Sequence, residues 1–319
     1  MPTKKPIKPP AKKPARKAAK PAPKAAKAPA PKARPSASPR ASVPPKTSAP
    51  AWEALTFPPK ARRMGVGFAD GRGDVYFGGD KGQLCRSRDD GKTWELMVVP
   101  HVKWFLKVVF ATPDGALYVV DDKGNPHLSR DEGKTWVHLQ LKGPNGSIDS
   151  IKAMACDGHR IWALSYGVVH FSELGSDRWD HVVPGGNGVR LTTMALDGQG
   201  GLWIGTSLDA VLVLDTAHPD QPPTTIPVPT TQKWISLVAA LGNRIACAAQ
   251  LDESTSLAVS IDRGKTWTLT ESHSLVSLMW VDDTLFQCTT DEGLLRSTDL
   301  GKTSTTLDFP PDWRGSLYQ

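Results

Sequence analysis

The sequence predicts an all-β fold, a six-bladed β-propeller preceded by a disordered basic tail. Three observations predict it. One polar octet returns along the chain at a nearly constant interval. Between its copies lie short apolar, aromatic and β-branched runs bounded by Gly, Asp or Asn, with no helical period. Both patterns stop at about residue 51, and the first fifty residues have another composition altogether.

The octet comes first. Residues 87–94 read SRDDGKTW, 129–136 SRDEGKTW, 260–267 SIDRGKTW and 297–304 STDLGKTS. A decayed copy, SELGSDRW at 172–179, keeps Ser172 and Trp179, and near Leu214-Asp215 the preceding strand survives without the octet. The intervals between these points are about 42, 43, 43, 45 and 37 residues. A period of this size is the signature of a repeat architecture.

Each repeat has the same grammar. The second reads FLKVVFATPDG, ALYVVDDKG, PHLSRDEGKTW, VHLQL, which is strand, turn, strand, turn, short strand, octet and last strand. Four short strands in about 42 residues describe a propeller blade. Innermost strands are expected to start near Met64, Phe105, Ile151, Leu191, Trp234 and Leu275, which gives six blades. The outer-strand pattern occurs seven times, near Trp52, Trp94, Trp136, Trp179, Thr225, Trp267 and Ser304. Seven blades is therefore the alternative, with the strand around AWEALTF available to complete the last blade or to pair beside 304–309.

Every position of the octet has a mechanical role in a hairpin. Asp89, Asp131, Asp262 and Asp299 accept hydrogen bonds from backbone N–H groups of the turn. Gly91, Gly133, Gly264 and Gly301 tolerate positive φ. Ser87, Ser129, Ser260 and Ser297 open the octets, the hydroxyls of Ser87 and Thr93 can bond across the loop, and Trp94, Trp136 and Trp267 offer large faces to bury between blades. The phrase S-x-D-x-G-x-T-W resembles the Asp-box, or BNR repeat. From about residue 52 to 310 the chain resembles the Asp-box β-propellers, a group that includes sialidases, sortilin-type receptors and photosystem assembly factors. The resemblance implies that the box is a structural turn on the face away from the usual site.

Residues 1–50 contain 14 Lys and Arg, 14 Pro, 13 Ala and neither Asp nor Glu. The other 25 basic residues and all 32 acidic ones fall in 51–319, so the tail carries about +14 and the remainder about −7. With only Met1, Ile7 and Val43 as larger apolar side chains, the tail has almost nothing to bury, and its prolines block a helix. The reading is a disordered arm, 1–50, and a propeller domain, 51–319. In composition the arm resembles linker-histone tails, which implies salt-dependent contact with nucleic acid or another polyanion. No secretory signal and no long apolar run stands in the sequence, which leads to the expectation of a cytoplasmic, monomeric protein.

Catalytic patterns are sparse. Of the four tyrosines, Tyr76, Tyr118 and Tyr166 lie in or beside strands, and no Arg-Ile-Pro phrase precedes the boxes, as a sialidase would have it. Neither metal nor cofactor is expected: the eight histidines form no H-E-x-x-H, and Cys85, Cys156, Cys247 and Cys288 form no Cys-x-x-Cys pair. A glycoside hydrolase or lyase at the propeller mouth is the alternative to a binding scaffold. Where each strand comes into the centre from the previous blade, the sequence places Arg62, Arg63, Lys103, Trp104, Asp149, Arg190, Lys233, Trp234 and His273. Two Lys-Trp pairs on blades two and five would face each other across such a mouth, which suits an anionic or planar group on a protein or glycan partner.

Overall fold

The computed structural model describes residues 57–307, apart from 59, 70–72, 90, 187, 231–232, 252–253, 273–274 and 291. The arm at 1–50, its boundary with the propeller, the AWEALT part of the proposed closing strand and His273 lie outside the described residues.

The described chain is all-β and forms six four-stranded antiparallel sheets in chain order. Blade one holds β1 Val66–Ala69, β2 Val75–Gly78, β3 Gln83–Ser87 and β4 Glu95–Val98. Blade two holds β5 Leu106–Ala111, β6 Leu117–Asp121, β7 Pro126–Ser129 and β8 Val137–His138. Blade three holds β9 Ala153–Cys156, β10 Arg160–Leu164, β11 Val169–Glu173 and β12 Asp180–Val182. Blade four holds β13 Leu191–Leu196, β14 Gly201–Thr206, β15 Ala210–Asp215 and β16 Thr224–Pro227. Blade five holds β17 Ile235–Leu241, β18 Arg244–Leu251, β19 Ser254–Ser260 and β20 Thr268–Ser272. Blade six holds β21 Leu275–Val281, β22 Thr284–Thr289, β23 Gly293–Ser297 and β24 Thr305–Thr306. The sheets number six, so the seven-bladed alternative falls.

Within each sheet the strands pair in sequence order, and the first strands of successive blades touch one another from β1 to β21. The first strands therefore line the centre. Several begin one or two residues later than the sequence suggested, at Val66, Leu106, Ala153 and Ile235. For blades three and five a residue in the lead-in is bonded to the preceding blade. Ile151 N–H donates to Gly124 O at 2.8 Å, and Trp234 N–H to Leu208 O at 3.4 Å.

The four octets fold alike. The serine hydroxyl accepts the glycine N–H at 2.7 Å for Ser87–Gly91 and at 2.8 Å for Ser129–Gly133, Ser260–Gly264 and Ser297–Gly301. Each aspartate accepts from the threonine N–H with one oxygen, at 2.8 Å for Asp89 and Asp131 and 2.9 Å for Asp262 and Asp299. Its second oxygen accepts the threonine hydroxyl at 2.6–2.7 Å. The residue before the glycine also has positive φ, 62° at Glu132, 60° at Arg263 and 67° at Leu300. Two successive positive φ values make a tight turn inside the octet, where glycine takes the second at little steric cost. Trp136 packs against the core between blades one and two, and Trp267 against that between four and five, each toward the blade before it. The Trp136 indole N–H donates to Gly133 O at 3.0 Å, whereas those of Trp94 and Trp267 find no partner among the described residues.

Packing runs between blades. Tyr76 and Leu84 of blade one meet Leu106 and Val109 of blade two. Tyr118 meets Ile161, and Val120 meets Ala163, across the next seam. Trp162 meets Leu191 and Leu202, then Trp203 meets Ile235, then Leu257 meets Leu275 and Leu285. Each such fully buried side chain contributes roughly 1.5–3 kcal/mol. On the side where the octets turn, an arginine crosses each of these five seams. Arg88 pairs with Glu132 and Arg130 with Asp177, both at 2.8 Å; Arg160 donates to the carbonyl of Thr216; Arg263 pairs with Asp197 at 2.7 Å; and Arg244 pairs with Asp283.

Candidate functional site

Antiparallel order fixes which residues share a face. The octets join the third and fourth strands of a blade. The connections between blades leave on the opposite side, beside the turns between second and third strands. That side is the mouth face, and it holds the described mouth positions read from the sequence; His273 lies outside the described residues.

Each described connection is tied to the preceding blade's turn. Lys81 N–H donates to Trp104 O, and Leu106 N–H to Gly79 O at 3.2 Å. Leu191 N–H donates to Tyr166 O, and Ser207 N–H to Arg190 O, both at 2.8 Å. With the backbone held, side chains are free to face outward. Trp104 is 66% exposed and Trp234 40%, and Phe105, Tyr166 and Leu208 join them. The two tryptophans therefore do not pad the inner core. They lead into blades two and five, three apart in a ring of six. Trp234 holds φ at 116°, where a bulky side chain is strained.

The charged positions divide. Arg62, Arg63, Lys103, Arg190 and Lys233 are exposed on this face. Arg63 Nε lies 4.0 Å from Asp80, and Arg62 N–H donates to Gln83 Oε1 at 2.7 Å. Asp149 is turned inward instead. Its Oδ2 lies 2.8 Å from Nε2 of buried His170, and Ser165 donates to the same oxygen at 3.4 Å. Burial pushes the His170 pKa down, and the Asp149 carboxylate works against that.

The sequence reading missed two lysines. A bulge between Leu106 and Val108 turns Lys107 out of the ladder, and Lys152 precedes β9 in the next blade. Both are half-buried. Burial pushes both ammonium pKa values down; Arg190 and Lys107 push Lys152 further down, while Asp121 and Asp122 raise Lys107. Lys152 Nζ sits 3.5 Å over the Tyr166 ring and donates to Leu191 O at 3.4 Å. The available signal was a lysine inside or just before an innermost strand, a place where apolar residues are the rule. Also missed was a second repeated turn on the face where the octets turn. Asp157 accepts the Trp162 indole N–H and Asp197 that of Trp203, both at 2.9 Å. Its signal was Asp-Gly recurring before the second strands, as in CDGHRIW and LDGQGGLW.

Among the described residues no three His, Cys, Asp or Glu side chains gather as a metal would need. Cys85 and Cys247 are buried, and burial raises the thiol pKa at all four cysteines. No described helix is long and apolar enough to cross a membrane.

No family model matches the sequence, and no curated protein matches it. Solved structures do match. Virginiamycin B lyase from Staphylococcus aureus superposes with TM-score 0.58 at 12% identity, over 78% of this chain and 86% of the other. YCF48 from Cyanidioschyzon merolae gives 0.56 at 16%, over 80% and 87%. A structure described as YCF48 bound to D1 peptide gives 0.60 at 15%, over 84% and 87%. At such identities the likeness concerns the fold alone, and it agrees with the six sheets: the chain is a six-bladed β-propeller.

Proposed function

We propose that the protein is a non-catalytic binding propeller of the Asp-box kind, whose mouth face takes an extended, acidic polypeptide. The observation that carries this is the pair of exposed tryptophans, Trp104 and Trp234, set among Lys103, Lys233, Arg62, Arg63 and Arg190. Large rigid aromatics beside arginines are what binding hot spots are made of. An exposed tryptophan on a mouth has no packing reason to be there. The four identical serine–aspartate–glycine turns support the Asp-box assignment and leave the box face a structural role. That a propeller of this shape holds a peptide in YCF48 makes the mode physically reasonable.

The second part of the proposal is that residues 1–50 tether the propeller to a polyanion, nucleic acid first among them. A +14 segment without acids neutralises phosphates and releases counterions.

A lyase at the mouth is the competing reading, since virginiamycin B lyase shares the fold. An array of acidic and neutral peptides, probed with the full chain and with Trp104→Ala/Trp234→Ala, separates the two. Binding of acidic peptides that falls by about 2 kcal/mol per tryptophan supports the scaffold. Undiminished binding by a folded double variant sinks it.

A further inference from the structure

We propose that a hollow at the seam of blades one and two, on the mouth face, is a carboxylate pocket. It receives a single negative charge carried on a short aliphatic stem. The inference rests on the binding reading above and names the group that the mouth takes.

The hollow measures about 410 Å³ and is lined by Arg63, Gly65, Gly78, Asp80, Phe105 and Lys107. Its depth comes from one missing side chain. Gly65 N–H donates to Gly78 O at 2.9 Å, just as Lys152 N–H donates to Leu164 O at 2.8 Å. Gly65 therefore stands in blade one where Lys152 stands in blade three. A Cβ built on it would meet nothing nearer than the Arg63 carbonyl, 4.0 Å away. The innermost strand is thus bare at this level.

Beside the bare position stands Lys107. The bulge between Leu106 and Val108 aims it away from the ladder. It is half-buried, and among the described residues no carboxylate comes within ion-pairing distance of it. Asp121 and Asp122 attract it only from beyond ion-pairing distance, and a half-buried ammonium without a directly paired carboxylate is costly and invites one. Burial has already pushed its pKa down, and a bound carboxylate would restore it. Phe105, half-exposed, forms a wall for an apolar stem.

The charges decide the valence of the guest. Arg63 and Lys107 bring two positive charges to the lining and Asp80, 4.0 Å from Arg63 Nε, brings one negative. One more negative charge balances the three charges of the lining. A phosphate dianion would overshoot and would face Asp80. A carboxylate fits, and the apolar wall favours an acidic side chain or a chain end over a free inorganic anion.

The test uses the full chain, ¹⁵N-labelled, with the Gly65 and Gly78 amide resonances as reporters. The probes are N-acetylglutamate N-methylamide for a side chain, N-acetylleucine for a chain end, the neutral N-acetylglutamine N-methylamide, and inorganic phosphate. Saturable shifts with at least one acid below about 50 mM, a range suited to fragments of this size, support the pocket, and the acid that gives them names the source. In Lys107→Met that binding weakens at least about tenfold. In Gly65→Leu it disappears because the hollow is filled, while Lys134→Met, on the box face, leaves it unchanged. No saturation by either acid, equal shifts with the neutral amide, tighter binding of phosphate, or undiminished binding in Gly65→Leu each overturns the proposal. All three variants are checked by circular dichroism, and Lys107→Met alone decides the matter if Gly65→Leu does not fold. Failure here leaves the tryptophan test standing. Carboxylate binding that survives loss of both tryptophans, with no peptide bound, would condemn the peptide reading alone.

Discussion

The Arg263 guanidinium lies 2.7 Å from the carboxylate of Asp197, joining the box turn of blade five to the first hairpin of blade four. The Asp197 side chain is 0% exposed, whereas that of Arg263 is 34%. The same carboxylate accepts from Trp203 Nε1 at 2.9 Å, Gly201 N–H at 2.9 Å and Gln199 N–H at 2.7 Å. Arg263 also lies over the Trp203 ring, 5.8 Å from its centroid. One arginine thus neutralises the charge on which a buried hairpin depends.

Arg263→Ala leaves that buried carboxylate without its cation. Breaking a buried pair on one side costs about 3–5 kcal/mol, and partial exposure of the arginine puts the loss near 3. Arg88→Ala, which removes an exposed pair with Glu132, should cost about 1 kcal/mol or less. Urea unfolding of both variants gives the comparison. Equal losses would mean that burial of Asp197 is not what matters.

The octet turns should make stability sensitive to acid. The Asp131, Asp262 and Asp299 carboxyls are held down to about 2 from 3.8, chiefly by the threonine hydroxyl and N–H bonds. A carboxyl whose folded pKa is depressed stabilises above its unfolded value and loses that contribution as pH falls through the folded one. Stability should therefore decline between about pH 4 and pH 2. Asp131→Asn should melt below the wild type at pH 7, and the two melting curves should converge as the wild-type carboxyl protonates. A constant gap across that range would assign the turn's strength to something other than the ionised carboxylate.

How much of this was legible follows from which interactions are local. The octet turn is local: Ser129, Asp131, Gly133 and Thr135 bond within seven residues, so a fixed spacing gives them away. Blade number was readable for the same reason, because each period buries one more copy of the same strands. The mouth was harder. Its backbone positions follow from strand order, which is why Trp104, Trp234 and Arg190 stand on that face. Side-chain direction depends on partners far along the chain. Asp149 turned inward because His170, 21 residues on, is buried beside it. Lys107 points out of the ladder because of a bulge, and a bulge leaves no mark in hydrophobic periodicity. The decayed turns of blades three and four receive contacts from neighbouring blades, Arg130 to Asp177 and Arg160 to the Thr216 carbonyl.

For the arm, binding to duplex DNA should weaken steeply as salt rises, and deletion of residues 1–50 should remove most of that affinity. Each phosphate contact contributes about −0.9 to the slope of log affinity against log salt, so even five or six contacts would cost about three orders of magnitude for a fourfold rise in salt. Electrophoretic mobility shifts at two salt levels, for the full chain and for 51–319, measure this. Equal affinity of both would end the nucleic-acid reading and leave the arm to another anionic partner.

The strain at Trp234 gives the sharpest mouth prediction. At φ 116° an ordinary side chain crowds its own backbone, and glycine does not. In most settings glycine is less stable than alanine, because the unfolded chain gains freedom. Here Trp234→Ala and Trp234→Gly both remove the indole, but only glycine relieves the backbone. Relief at such a position is worth about 1–3 kcal/mol, which outweighs the usual penalty of about 0.5–1. Trp234→Gly should therefore unfold at higher urea than Trp234→Ala, inverting the ordinary order. Both should bind acidic peptides equally poorly if the indole is the anchor. If the glycine variant bound as well as the wild type, the strained backbone would serve to shape the mouth, and the tryptophan ring would not be what the partner touches.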